Sequence, residues 1–460
     1  MQLPSHVDTL AKTLKSRRQR LAALIEVPVV LWSGCSPARN FPANVFPFRA
    51  SSHFLYFVGL PLENAAICLE AGKLELFIDE STAEDVLWHG EVPQRDELAQ
   101  LIGADAAFPL AELDEQVIGA ATIPVQDAIT RNRQSQVLGR ALGPANALQG
   151  IDLELAQAIA SLRLIHDDGA LAELRKAGQI TVKAHLAGMA VTSTAKTEAE
   201  VRSAMEAVFV AHNMTCSYAS IVTVQGEVLH NNQYHHLIQA GDLLLADVGG
   251  ETALGWAADV TRTWPVSGCF SASQRDIYDV VLAAHDACIA KICPGVEYRD
   301  IHLLAATVIA EGLVSLGILR GRPEDLVAQD AHALFFPHGV GHLLGLDVHD
   351  MQDLGDLAGY ELGRVRSDRF GLGFLRLDRP LRQGMLVTIE PGFYQVPAIL
   401  QDPQRHSQYD DCVNWERLVG FADVRGIRIE DDVLVTKTGS EVLTAALPTT
   451  TEAISLSTAA

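Results

Sequence analysis

Seven cysteines stand in this chain of 460 residues, at positions 35, 68, 216, 269, 288, 293 and 412, and no two of them form a CxxC pair. The odd count and the scatter exclude a disulfide framework and a structural zinc knot, and they fit a reducing cytoplasm. Positive charge is also short. Against 57 Asp and Glu there are 35 Lys and Arg, a formal net charge of −22. Phosphate recognition needs basic surface, so no nucleic-acid partner is expected. Long apolar runs are missing as well. None approaches the ~20 residues of a membrane span, so no membrane partner is expected. The stretch from Leu21 to Trp32 follows "KSRRQR", but Glu26 and Pro28 interrupt it, which argues against a secretory signal.

What is present suits a globular chain of two or three domains, with 48% hydrophobic and 20% charged residues. Residues 1–165 read as a small α/β unit. "PVVLW", "AAICLE" and "KLELFIDE" have strand character, and "TAEDVLWHGEVPQRDELAQLIG" favours helix. From Leu153 a long helical periodicity takes over, and the "IHDDG" turn marks the expected domain boundary. Residues 166–446 then mix strand-like runs with helical ones, which predicts an α+β sheet with helices packed on it. Residues 447–460 are expected to be a loose tail.

The chemical signal lies in carboxylates placed where a core should be. In "GDLLLADVGGETALGWAADVTRTWPV", Asp247 ends an apolar strand, and Asp259 opens a second alternating run after a turn. A hairpin would bring the two together. Strand alternation puts Asp259, Thr261 and Thr263 on one face, and likewise Leu386, Thr388 and Glu390, and Arg428, Glu430 and Asp432. Buried charges that cluster must be paired or bind metal, and few basic residues lie nearby in sequence. The stretch "HGVGHLLGLDVHD" supplies imidazoles at His338, His342 and His349. His338 and His342 have the i, i+4 spacing of the zincin helix. Gly339, however, replaces its glutamate, and the glycines disfavour a helix, so that reading fails. Four carboxylates and an imidazole, with no thiolate, suit manganese, with cobalt or zinc as substitutes, and the charge arithmetic favours two ions.

In order along the chain, "LLLADVGG", "AADVTRTWPVSG", "HGVGHLLGLDVHD", "VTIEPGFY" and "RIEDDVLVT" resemble the creatinase/methionine aminopeptidase ("pita-bread") metallopeptidases, and within them prolidase and aminopeptidase P. The segment "ARNFPANVFPFRASSHFLYFVGL" is similar to the front domain those two share. The resemblance implies an N-terminal α/β domain followed by a pita-bread catalytic domain holding two divalent metal ions. It implies that Asp247 chelates one ion, that Asp259 and Glu430 bridge the two, and that His342 and Glu390 complete the other. Glu390 is implied as the proton carrier, and His230, His338 and His349 as active-site histidines, His230 and His349 contacting substrate. Arg428 is expected to orient Glu430, and Thr261 to orient Asp259.

Two departures stand out: "LHN" replaces the usual "LHY", and the spacing between the aspartates is one residue longer. Arg376, fourteen residues before Glu390, resembles the prolidase arginine that binds the terminal carboxylate of a dipeptide, although a surface salt-bridge role stays open. Hydrolysis of Xaa-Pro dipeptides is therefore the leading expectation. Cleavage of longer proline-containing peptides by an aminopeptidase P follows, and a non-catalytic binding module stands last. The resemblance also implies a homodimer. Trp88 matches a loop that approaches a neighbouring active site in some members, against the plainer expectation of a buried structural tryptophan.

Overall fold

In a computed structural model that describes residues 7–459, apart from 116 and 118, the chain divides into two compact units. The first takes in residues 1–172, with the short segments 253–255 and 351–358; the second comprises the remainder. Helix α1 (Val7–Ala22) ends just before strand β1 (Val29–Trp32). Strands β2 (Ala66–Glu70), β3 (Lys73–Phe77) and β4 (Ala106–Phe108) complete a sheet of order β1-β2-β3-β4, in which only the last pair is parallel. The basic run in α1 is not surface charge. Arg18 is 2% exposed and donates to the carbonyls of Phe57, Ile102 and Gly103, which satisfies the C-terminal ends of two short helices.

The segment read as one helix after residue 80 forms two, Ala83–His89 and Arg95–Ile102. Gly90, at φ 79°, and Pro93 end the first, and reciprocal capping by Thr82 with Asp85 and by Gln94 with Glu97 starts each anew. Trp88 lies on the first of them and is 72% exposed, so it is not a buried structural tryptophan. Helix α2 (Gly150–Arg163) and helix α3 (Asp168–Thr192) are separated by the "IHDD" break, and the division between the units falls at Ala172/Glu173 within α3.

The second unit is built from short antiparallel sheets with helices against them. Strands β5 (Ile221–Thr223), β6 (Leu243–Asp247) and β7 (Thr261–Pro265) form one sheet, with β6 central and Asp247 opposite Thr261. Strand β8 (Leu386–Ile389) and strand β9 (Gly392–Tyr394) flank Glu390. Strand β10 (Gly426–Arg428) pairs with β9, while β11 (Asp431–Val435) pairs with β8 and with β12 (Ser440–Val442). Glu390 and Glu430 therefore emerge side by side at the ends of paired strands. Helices α4 (Glu198–Ala211), α5 (Ala272–Lys291) and α6 (Tyr298–Ser315) bury their apolar faces, and α5 and α6 pack on each other. The loop from β9 to β10 carries a short helix α7 (Pro403–Gln408).

The expected loose tail is instead helix α8 (Thr451–Ala459), which packs on β7 and α5. Ile454 is fully buried in the cluster that also holds Trp264 and Leu447, while Thr451 and Thr458 are nearly so. A single buried isoleucine, with Leu456 exposed, was too sparse a signal among Thr, Ser and Ala to mark the helix. Replacing Ile454→Ala should destabilise the protein by about 2–5 kcal/mol, read as a shift in the midpoint of denaturant unfolding, because the side chain leaves a cavity in a packed cluster. An unchanged midpoint would mean that the helix is not part of the core.

Candidate active site

One cleft of about 480 Å³ in the second unit is lined by Asp247, Asp259, His342, Glu390 and Glu430, and also by His230, His338, His349, Arg376 and Arg428. Every residue that the sequence assigned to metal, substrate or their support lines it, except Thr261. Thr261 lies beneath the wall, fully buried. Phe370, Phe374, Val396 and Ile399 add apolar character to the lining, as small-ligand sites require.

The hairpin between β6 and β7 brings the two aspartates together. Val248 N–H donates to the Val260 carbonyl, and Gly249 sits so close to the Ala258 carbonyl that any side chain would collide with it. Tyr218 Oη lies 2.5 Å from an oxygen of each aspartate. A neutral phenol has one proton to donate, so without cations the two carboxyls must share at least one more. His342 is delivered by an irregular segment, where Gly341 is required: a Cβ there would overlap the Thr388 carbonyl and the Tyr298 hydroxyl. His342 Nδ1 lies 3.0 Å from the Leu343 carbonyl, which fixes the proton on Nδ1 and leaves the Nε2 lone pair facing Asp259 Oδ2 at 3.3 Å and Glu390 Oε1 at 3.6 Å. Asp259, His342 and Glu430 each offer a ligand atom within 4.8 Å of the others.

Two supporting contacts differ from expectation. Arg428 does not orient Glu430 directly. Its guanidinium donates to Asp247 Oδ2 at 2.6 Å, to Thr261 Oγ1 at 3.0 Å and to Tyr394 Oη at 2.8 Å. Thr261 in turn donates to Glu430 Oε2 at 2.6 Å rather than to Asp259. The cause is register. Thr261 stands opposite Asp247 on the neighbouring strand and its carbonyl receives the Glu430 N–H, so its hydroxyl is carried towards Glu430. Both nitrogens of His338 are engaged, Nδ1 with the Gly339 carbonyl and Nε2 with Tyr394 Oη, which makes a line Arg428–Tyr394–His338. The His349 ring packs edge-on against that of His342, with centroids 4.3 Å apart.

Burial drives the electrostatics. It pushes the carboxyls of Asp247, Asp259 and Glu430 up, and Glu390 up to about 8, with neighbouring acids adding to the effect at Asp247, Glu390 and Glu430, and Arg428 opposing it at all four. Burial also pushes His342 down to about 4, which keeps it neutral. Four acids with only Arg428 and Arg376 among them are under-compensated, and an oxygen-rich set with one imidazole fits divalent ions of the manganese type. The residues fit the metals that the sequence implies. Tyr218 and Tyr394 were missed. Tyr218 stands alone in a polar loop without a motif, whereas Tyr394, within "VTIEPGFY", was there to be noticed.

Fold and donor set together define a metal-dependent hydrolase. Residues 172–437 match the model of metallopeptidase family M24, and residues 14–123 match the aminopeptidase P N-terminal domain. The chain belongs to metallopeptidase family M24, as a metallo-exopeptidase with an aminopeptidase P-type front domain and a pita-bread catalytic domain. It is 31% identical to a probable Xaa-Pro aminopeptidase of Neosartorya fischeri, over 96% of this chain and 94% of the relative. It is 34% identical to another from Botryotinia fuckeliana, over 86% and 85%. Among solved structures it is similar to Pseudomonas aeruginosa aminopeptidase PepP at 28% identity, with a TM-score of 0.80 and 98% of both chains covered. It is also similar to Escherichia coli aminopeptidase P with the inhibitor Pro-Leu, at 27% identity, with a TM-score of 0.77 and the same coverage.

Because these carboxyls hold protons more tightly folded than unfolded, the metal-free protein loses stability as pH rises. For Glu390 that window runs from 4.5 to about 8. His338, pushed down to about 3 by burial, and His342 act in the opposite sense, but only below 6.5. Between pH 6.5 and 8, manganese, which displaces the protons, should therefore raise the melting temperature more at the upper pH. An equal or smaller gain at pH 8 would contradict this assignment of the protons.

Proposed function

We propose that the chain is an Xaa-Pro aminopeptidase, removing the N-terminal residue from peptides whose second residue is proline, with two divalent ions, manganese foremost. The observation that carries this reading is the gathering of four carboxylates and His342 in one cleft whose lining also includes apolar side chains suited to a proline ring. The near full-length similarity to relatives named Xaa-Pro aminopeptidase favours peptides longer than two residues.

In this reading Asp247, Asp259, His342, Glu390 and Glu430 would hold the ions. Bound ions supply Lewis-acid polarisation of the scissile carbonyl and acidify water. Glu390 would take the proton of the attacking water and deliver it to the departing proline nitrogen. His230 and His349, on the cleft wall, donate to the substrate oxygen as charge develops, an effect of ~3 kcal/mol per donor. Arg428 and Tyr218 position the aspartates, and Thr261 positions Glu430. His338, held by Tyr394, shapes the wall between them.

A second reading, Xaa-Pro dipeptidase, is favoured by Arg376, which lines the same cleft and feels the charges of Glu390 and Asp259. It would meet a dipeptide's carboxylate there. With manganese present, kcat/KM should be higher for Ala-Pro-Ala than for Ala-Pro, and a clear preference for Ala-Pro would move the assignment to the dipeptidase. Elemental analysis separates the histidines. His342→Ala should lose metal together with activity, whereas His349→Ala should keep its metal and lose rate on the order of 100-fold. Metal retained by His342→Ala would remove that residue from the ligand set.

A further inference from the structure

The loop from β9 to β10 contributes one more charged residue to the cleft. Arg405, on α7, lines it together with Val396, Ile399 and Phe370. Its guanidinium carbon lies 3.7 Å from the centre of the Phe370 ring, which fixes the plane of the fork against the apolar wall. The side chain is 32% exposed. Among the described residues its one ion pair is with Asp402, at 3.4 Å from Nε, and Nη1 is shielded from water with no acceptor. A guanidinium in this condition has donor capacity to spare, and in partly desolvated surroundings an added carboxylate is worth more than in water. Arg376 is a separate cation of the same cleft, whose surroundings are Glu390 and Asp259.

We propose that Arg405 is a specificity-determining residue that binds the C-terminal carboxylate of a peptide extending beyond proline, so that the cleft favours short free-acid peptides such as Xaa-Pro-Yaa. The inference rests on the aminopeptidase reading and adds the length and end-group preference of its substrate. Beyond the scissile bond, the one negative group that every short peptide carries is its terminal carboxylate, and the planar fork of arginine matches it in two-point contact. The role belongs to binding, not chemistry, since no contact joins Arg405 to the acids or histidines of the metal-ligand set among the described residues.

The test compares the manganese-loaded wild type with Arg405→Gln and Arg405→Lys on Ala-Pro-Ala and on its C-terminal amide. The wild type should prefer the free acid by about tenfold in kcat/KM, the size expected of one charge-assisted contact. In Arg405→Gln that ratio should fall to near one, through a higher KM for the acid at unchanged kcat, and Arg405→Lys should recover part of it. A wild-type ratio near one, a ratio preserved in Arg405→Gln, or an equal loss on acid and amide would each overturn the proposal. Failure of the wild type to cleave either tripeptide would overturn the aminopeptidase reading as well. Cleavage of both without discrimination would overturn only the role of Arg405.

Discussion

Four carboxylates withdrawn from water in a single cleft are the constraint around which the second unit is arranged. Each is costly alone, and each raises the cost of its neighbours, because like charges in a poorly solvated space hold one another protonated. Two guanidiniums, those of Arg428 and Arg376, offset part of the charge. The remainder is satisfied by protons when the site is metal-free and by divalent cations when it is loaded, so metal binding and proton release are one event.

The scaffold pays this cost by making every supporting group rigid. Asp247 and Thr261 face each other across paired strands, Glu390 and Glu430 leave paired strands at the same end, and the glycine at 341 lets the histidine segment pass close to Thr388. Arg428 then ties three strands together through Asp247, Thr261 and Tyr394 with one planar group. A lysine has no such fork and would not replace it. The same line of contacts reaches His338 and holds it in place, while burial and then the Arg428 charge keep it neutral.

Much of the site was legible in the sequence, because acids on apolar strands contradict the pattern around them. Asp247, Asp259, Glu390 and Glu430 stand out for that reason, and His342 stands out among glycines. The partners of these residues were less legible. Alternation along a strand tells which side chains share a face, but not which neighbouring strand comes to lie opposite. Arg428 was therefore assigned to Glu430, on its own strand run, when it reaches across to Asp247, and Thr261 was assigned to Asp259 when it reaches Glu430. Tyr218 carried no pattern at all.

What the sequence determined by itself was the mixed α/β and α+β character, the apolar strands and the identity of the acids and imidazoles, since each is written in local periodicity and in residue chemistry. What only the tertiary structure decided was who meets whom: the phenol between two aspartates, the arginine shared by three strands, the C-terminal helix drawn into the core by Ile454, and the guanidinium of Arg405 over Phe370. Those meetings depend on strand register and on chain segments far apart in sequence, and local patterns hold no information about either.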